Sequence, residues 1–171
     1  MTAVAGPLGI LALPAGAQPW TTNVNKPLSL DAFVQTFYVK DGWTDEEGLY
    51  RRRGFVSGAI VGWINADGTQ QSIAIAKFAT PQGAVSLFDG LTETLRNNPS
   101  PATVITDAGD DGVGTVSPAL DADGNAVAEI AARTGDYVID VHEFAAVTPE
   151  PAAAKALLLR QFQRLQGSKK A

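Results

Sequence analysis

The residues that could carry chemistry are few, and they lie close together in the second half of the chain. The sequence contains one histidine, His142, and no cysteine, so disulfides, thiolate metal sites and thiol nucleophiles are excluded. Asp140 lies two residues before His142, and side chains two residues apart on a β-strand share a face. If Thr134-Gly135 forms the turn of a hairpin here, Glu129 lies directly opposite Asp140. The three side chains then form a candidate acid–base or metal cluster.

A simpler interpretation is favoured by the sequence alone: a solvated sheet face with His142 in a surface hydrogen bond. The chain has no G-x-S-x-G nucleophile motif to accompany the histidine and the two acids. We therefore assign no catalytic residue, no metal ligand and no cofactor, and we expect folding without a metal ion. The acidic stretches Asp107–Asp111 and Asp121–Asn125 are interpreted as a solvated loop and a hairpin turn.

Composition limits the class of protein and its partners. The chain has 171 residues, of which 45% are apolar and 18% charged, which is typical of a folded domain with a full core. The net charge of -5 and the pI of about 4.7 argue against nucleic acid or an anionic membrane as the partner. No segment has the length and apolar character of a membrane span.

Helix signals and strand signals come in separate runs along the chain. Ser29 is a suitable N-cap for a first helix that Gly42 ends, and Thr44–Glu47 opens a second helix that reaches about Arg52. Helices are also predicted over residues 81–97 and 149–166. With the intervening strands, the order is α-α-β-β-α-β-β-β-β-α. This order predicts an α+β domain whose antiparallel sheet has about six strands built from hairpins, with helices packed on it.

The segment from Phe55 to Phe78 predicts a hairpin. With Asp67-Gly68 as a two-residue turn, one face carries Ile60, Ile64, Ile73 and Ile75 together with Gly58 and Gly62. Glycines among isoleucines indicate close approach by another segment, so we expect that face to be covered. The other face carries Trp63, Val61 and Phe78, and we predict these three as a partly exposed ligand-binding strip.

The two ends of the chain differ from the middle. Residues 1–27 are rich in Pro, Gly and Ala, and their prolines prevent a long helix. This segment is interpreted as an arm or tether that is partly packed on the body, because Ile10, Leu11 and Trp20 are too apolar for a solvated linker. Residues 28–167 are predicted to form a single α+β domain, and residues 168–171 a frayed tail.

Several of these segments together resemble a known class of domain. They are Leu13–Trp20 (LPAGAQPW), the LSLDAFVQTFY helix, the GFVSGAIVGWINADGTQQSIAIAKFATPQGA hairpin and the closing PAAAKALLLRQFQRL helix. The chain resembles small extracytoplasmic domains of high-GC actinobacteria, found as secreted proteins, lipoproteins or ectodomains of membrane proteins. It is loosely similar to kinase sensor ectodomains and to PsbP-like lipoproteins. The resemblance implies a location outside the cytoplasmic membrane and a binding or sensing role.

Three functions remain open from the sequence. The first is a non-enzymatic extracytoplasmic binding or sensor-type domain whose partner is an unknown protein or a small apolar ligand. The second is a small hydrolase or isomerase that uses Glu129, Asp140 and His142. The third is a structural or assembly protein. A deep pocket that contains all three side chains of the cluster would favour the second over the first.

Overall fold

A computed structural model of the chain describes residues 6–20, 27–96, 103–105, 112–116, 125–146, 148 and 150–168. Its helices are α1 (Leu30–Phe37), α2 (Trp43–Arg52), α3 (Pro81–Arg96) and α4 (Pro151–Ser168). Its strands are β1 (Gln18–Pro19), β2 (Phe55–Ile64), β3 (Gln70–Phe78), β4 (Thr103–Ile105), β5 (Gly112–Val116), β6 (Ala126–Thr134) and β7 (Tyr137–Ala145). The acidic residues 107–111 and 121–124 lie outside the described residues.

The strands form one antiparallel sheet in the order β1-β2-β3-β7-β6-β5-β4. The predicted α+β class and the predicted order of helices and longer strands are confirmed. Five strands have five or more residues, and two short strands, β1 and β4, lie at the two edges. The first hairpin joins the second half of the sheet through β3 and β7, a pairing that the sequence did not predict.

Both faces of the sheet are covered by helices, so the domain has two apolar layers. On one face, α4 packs through Ala154, Leu157 and Leu158 against Ile139, Val141 and other residues of the central strands. On the other face, helices α1 to α3 pack through Phe33, Val34 and Leu87 against Ile60, Ala76 and Phe78. This arrangement follows from the strand period of two, which sends neighbouring side chains of one strand to opposite layers.

The register of the first hairpin differs from our prediction by one residue. Ile60 pairs with Ala74, and not with Ile75. Asn65 and Thr69 close a three-residue loop through the Asn65 N–H, which donates to the Thr69 carbonyl at 2.8 Å, and Gly68 takes a left-handed φ of 85°. A three-residue loop with glycine in this position adds one residue to the turn. A one-residue slip moves every side chain of one strand to the other face relative to its partner.

The exposure that we predicted for Trp63 is therefore wrong. Trp63 is 1% exposed, and Val61 and Phe78 are also buried. Trp63 and Val61 lie in the layer under α4, whereas Phe78 lies in the layer under α1 to α3. These three residues do not form one strip, and their burial leaves little side-chain surface for a ligand.

The second hairpin also has a different register, but with a milder consequence. Its turn is Gly135-Asp136, because the pairing of β6 and β7 begins at Thr134 and Tyr137. Gly135 has a φ of 61°, a left-handed conformation that glycine adopts without strain. The pairing is shifted by two residues, and a shift of two keeps every side chain on its predicted face. Glu129 consequently lies opposite His142, and not opposite Asp140.

The two glycines of β2 lie where another segment approaches the sheet, as predicted. A Cβ atom on Gly58 would overlap the Phe33 ring, and one on Gly62 would overlap the Trp20 ring. Both rings lie on the face covered by α1 to α3. The absence of a side chain at these positions lets the aromatic rings rest on the strand backbone.

The first described segment contacts the body at both ends. Ile10 is buried in the layer under α4, and the buried Gln161 side chain accepts from the Leu11 N–H at 2.8 Å and donates to the Gly9 carbonyl at 3.1 Å. Gln18 and Pro19 pair with Ile64 and Trp63. None of the described helices combines the length and apolar character that crossing a membrane requires.

Candidate functional site

A cleft of about 410 Å³ opens on the face of the sheet that carries α1 to α3. Its floor is built by β2, β3, β6 and β7, and its walls by the end of α1, the side of α3 and the residue that follows β1. The cleft is lined by Trp20, Thr36, Phe37, Tyr38, Ile60, Ser72, Leu91, Glu129, Asp140, His142 and Phe144. A concave, mainly apolar site with a few convergent polar groups is the usual form of a small-ligand site.

One row of paired residues across four strands builds the floor of the cleft. Gly62 pairs with Ser72, Ser72 with His142, and His142 with Glu129. Directly paired residues of an antiparallel sheet share a face, so these positions all face the cleft. Trp20 rests on Gly62 and so forms the wall at one end of the row, while the charged pair lies at the other end.

The three candidate residues of the sequence come together here. His142 Nε2 lies 3.5 Å from Glu129 Oε1, and one ligand atom from each of Glu129, Asp140 and His142 lies within 4.8 Å of the others. Asp140 joins them because it lies two residues before His142 on β7. The interpretation of this strand face as solvated is therefore wrong, since the helices and Trp20 turn it into a cleft.

The three side chains differ in their access to the cleft. Side-chain exposure is 20% for His142 and 24% for Glu129, so both can contact a ligand. Asp140 is only 6% exposed, and its Oδ1 atom is buried with no hydrogen-bond partner among the described residues. An unpaired buried oxygen costs free energy that a bound donor or cation would recover.

Burial and mutual charge shift the pKa values of the cluster in different directions. Burial, together with the charge of Glu129, raises the pKa of Asp140 well above its usual range. Burial acts against the charged form of His142, but the charges of Asp140 and Glu129 outweigh it and raise the pKa of His142 to about 9. Burial also acts against ionised Glu129, yet the charge and hydrogen bond of His142 lower its pKa. At neutral pH the free site thus holds an ionised Glu129 and a protonated His142, whereas its surroundings disfavour the ionised form of Asp140.

Aromatic rings continue from the cluster along the walls. His142 stacks on Phe144 with ring centroids 5.9 Å apart and an interplanar angle of 9°. Phe144 contacts Trp20 at 6.3 Å on one side, and His142 contacts Phe37 at 6.2 Å on the other. Phe37 in turn lies 6.0 Å from Tyr38. Four aromatic residues and the imidazole thus form a continuous aromatic rim of the cleft: Trp20, Phe144, His142, Phe37 and Tyr38.

The chemical capacity of the cluster is broader than one reaction. Two carboxyl groups and an imidazole within 4.8 Å have donor types that suit a divalent metal ion. The same three groups could exchange a proton with a bound molecule, since an acid with a raised pKa and a base lie side by side. They could also pair with the positive group of a ligand.

The sequence identified the cluster but missed the aromatic rim. From the sequence, no role was assigned to Phe37 or to Phe144. A signal for Trp20 existed in Gly62, which indicated that a bulky group packs on the strand. The contact between them joins segments far apart in the chain, so spacing alone could not reveal it.

Comparison with known proteins shows similarity of fold. No protein-family model and no curated protein sequence matches the chain. The extracellular domain of PknH, a kinase of Mycobacterium tuberculosis, is similar in structure with a TM-score of 0.56 and 12% sequence identity. The alignment covers 88% of this chain and 86% of that domain. The chain thus has a fold like that of the extracellular domain of PknH.

Proposed function

We propose that the protein is a non-enzymatic extracytoplasmic binding or sensor-type domain, and that its ligand occupies the cleft above Glu129, Asp140 and His142. The observation that carries the proposal is the cleft itself: about 410 Å³, rimmed by aromatic rings, with a buried polar cluster at its floor. Such a site suits a small molecule with an apolar body and one polar end.

The location outside the cytoplasmic membrane is part of the proposal. Its support is the fold shared with the extracellular domain of PknH. The composition is compatible with this location, because a chain without cysteine has no thiol that an oxidising compartment could convert into a disulfide. Protease treatment of intact cells that express the tagged full-length protein should digest this domain, whereas a cytoplasmic marker survives.

A second candidate function is catalysis by a hydrolase or isomerase. It is favoured by the convergence of Glu129, Asp140 and His142 in one cleft, which is the feature that we expected to distinguish an enzyme. In that case His142 or Glu129 would move the proton, with Asp140 as a neighbouring carboxyl group whose pKa is raised by burial. Fold similarity does not decide between binding and catalysis, because one fold supports many functions.

A thermal-shift screen against a library of small molecules tests the binding function. Compounds that occupy the cleft should raise the melting temperature, and at equal concentration the tighter-binding compounds should raise it more. Phe144→Leu should weaken that response. Phe162→Leu is the matched control, because Phe162 is also a partly buried phenylalanine but packs in the layer under α4.

Two results would speak against the proposal. Equal responses of the Phe144 and Phe162 variants would place binding outside the cleft. Turnover of a bound compound that is lost in His142→Ala would replace the binding function by the catalytic one.

A further inference from the structure

We propose that the ligand of the cleft is an organic monocation, with an ammonium group at the carboxylates of Glu129 and Asp140 and an apolar body against the aromatic rim. This inference rests on the proposed binding function and names the chemical class of its ligand. Three independent features of the cleft support it: its charge, its aromatic lining and its size.

The charged groups of the cleft favour a cation. Among the described residues that line it, two are acidic, one is histidine and none is lysine or arginine. The Asp140 Oδ1 atom is buried and has no hydrogen-bond partner among the described residues. An ammonium group supplies N–H donors, or a compact positive charge, for such an oxygen.

The protonation of the free site agrees with this charge argument. Glu129 and His142 already balance each other as an ion pair 3.5 Å apart, whereas burial and the charge of Glu129 disfavour the ionised form of Asp140 and raise its pKa. A bound monocation stabilises the ionised form of Asp140, so that two carboxylates face two cations. An anion would instead add a negative charge beside Glu129 and would disfavour the ionised form of Asp140 still further.

The aromatic rim provides the second feature. The His142 ring of the polar cluster contacts Phe37 at 6.2 Å and Phe144 at 5.9 Å between ring centroids. Trp20 extends the rim by contacting Phe144 at 6.3 Å. The faces of aromatic rings attract ammonium groups, and tryptophan does so most strongly. A carboxylate floor with aromatic walls is thus complementary to an organic cation both through its charges and through its rings.

Size provides the third feature. A volume of about 410 Å³ lies within the range of about 300–1,000 Å³ that is usual for sites of small organic ligands. Three ligand atoms could hold a bare metal ion, but such an ion would leave most of the apolar lining without contact. An amine with an apolar body contacts both the cluster and the rim.

The test uses three probes of similar shape and different charge: phenylbutylamine, phenylbutanol and phenylbutyrate. Isothermal titration calorimetry on the full chain at neutral pH measures their dissociation constants. We expect the amine to bind at least about 10-fold more tightly than the alcohol, which corresponds to about 1.4 kcal/mol. The butyrate should bind most weakly because it adds negative charge beside Glu129.

Variants locate the preference for the amine. Asp140→Asn keeps the shape and a hydrogen-bond donor but cannot ionise, so it should remove the preference of the amine over the alcohol. Glu129→Gln is a second variant, in case Asp140→Asn does not fold. The matched controls are Asp89→Asn and Glu93→Gln, which make the same two types of substitution at exposed positions of α3. They should leave the affinities for the amine and the alcohol unchanged.

Each result bears on the inference in a defined way. Equal binding of amine and alcohol, or tighter binding of the butyrate, overturns the cation but leaves the binding function intact. Failure of all three probes also overturns the inference, and the compound screen then decides separately on the binding function. Stoichiometric Zn²⁺ binding that is lost in His142→Ala, without binding of the amine, would replace the organic cation by a metal ion.

Discussion

A buried carboxyl group on the opposite face of β7 gives the sharpest prediction for stability. Glu143 is 2% exposed, and its Oε2 atom has no hydrogen-bond partner among the described residues. Burial, together with the charges of Glu150 and Asp67, raises the pKa of Glu143 from 4.5 to about 7, although a hydrogen bond with Gln71 acts in the opposite direction. The perturbation that we propose is Glu143→Gln, which keeps the shape of the side chain and removes its titration.

The sign and size of the effect follow from this pKa. A carboxyl group whose pKa is raised in the folded state favours folding while it is neutral, and this contribution is lost as the pH rises through the folded pKa. The wild type should therefore lose stability between about pH 5 and pH 8. A rise from 4.5 to about 7 corresponds to an upper limit of about 3 kcal/mol at 1.36 kcal/mol per pH unit.

Urea unfolding at pH 5 and pH 9 measures this effect. Relative to the wild type, Glu143→Gln should gain up to about 3 kcal/mol in the free energy of unfolding between the two pH values. Glu93→Gln is the matched control at an exposed position, and its stability should follow that of the wild type. Parallel pH profiles for the wild type and Glu143→Gln would refute the reasoning, because the carboxyl group would then have an ordinary pKa.

Further predictions test the two layers and the cleft wall. Leu158→Ala should lower the free energy of unfolding by about 2–5 kcal/mol. Phe88→Ala should lower it by less, because Leu158 is fully buried and Phe88 only partly. Equal denaturant midpoints for the two variants would contradict this. Gly62→Ala should displace Trp20 from β2 and change tryptophan fluorescence; an unchanged spectrum would contradict the contact. Burial raises the pKa of Tyr38 to about 12, so in an alkaline absorbance titration Tyr38→Phe should remove phenolate signal near pH 12 and leave the signal at pH 10 unchanged.

The sequence predicted the elements better than it predicted their registers. Caps, turns and apolar periods located the helices and the hairpins, because these signals depend on neighbouring residues. The registers depended on loop length. Reading Asp67-Gly68 as a two-residue turn reversed the faces of the first hairpin, whereas the two-residue shift at Gly135 left the faces of the second intact.

The candidate site was only half predictable for the same reason. Glu129, Asp140 and His142 were recognised because they share a strand face in one hairpin. The cleft that encloses them depends on Trp20 and on Phe37 at the end of α1. These contacts are long-range in sequence, and the lack of a side chain at Gly62 was the one local sign of them.

The single histidine of the chain allows a direct test of the claim that the cleft binds the ligand. In NMR spectra of protein with isotope-labelled histidine, the imidazole of His142 gives one set of signals, which in the free protein should titrate with a pKa of about 9. Addition of phenylbutylamine should shift these signals in a saturable manner, with the dissociation constant that calorimetry gives. Binding of the amine that leaves the His142 signals unchanged would contradict the account, because the ligand would then lie elsewhere.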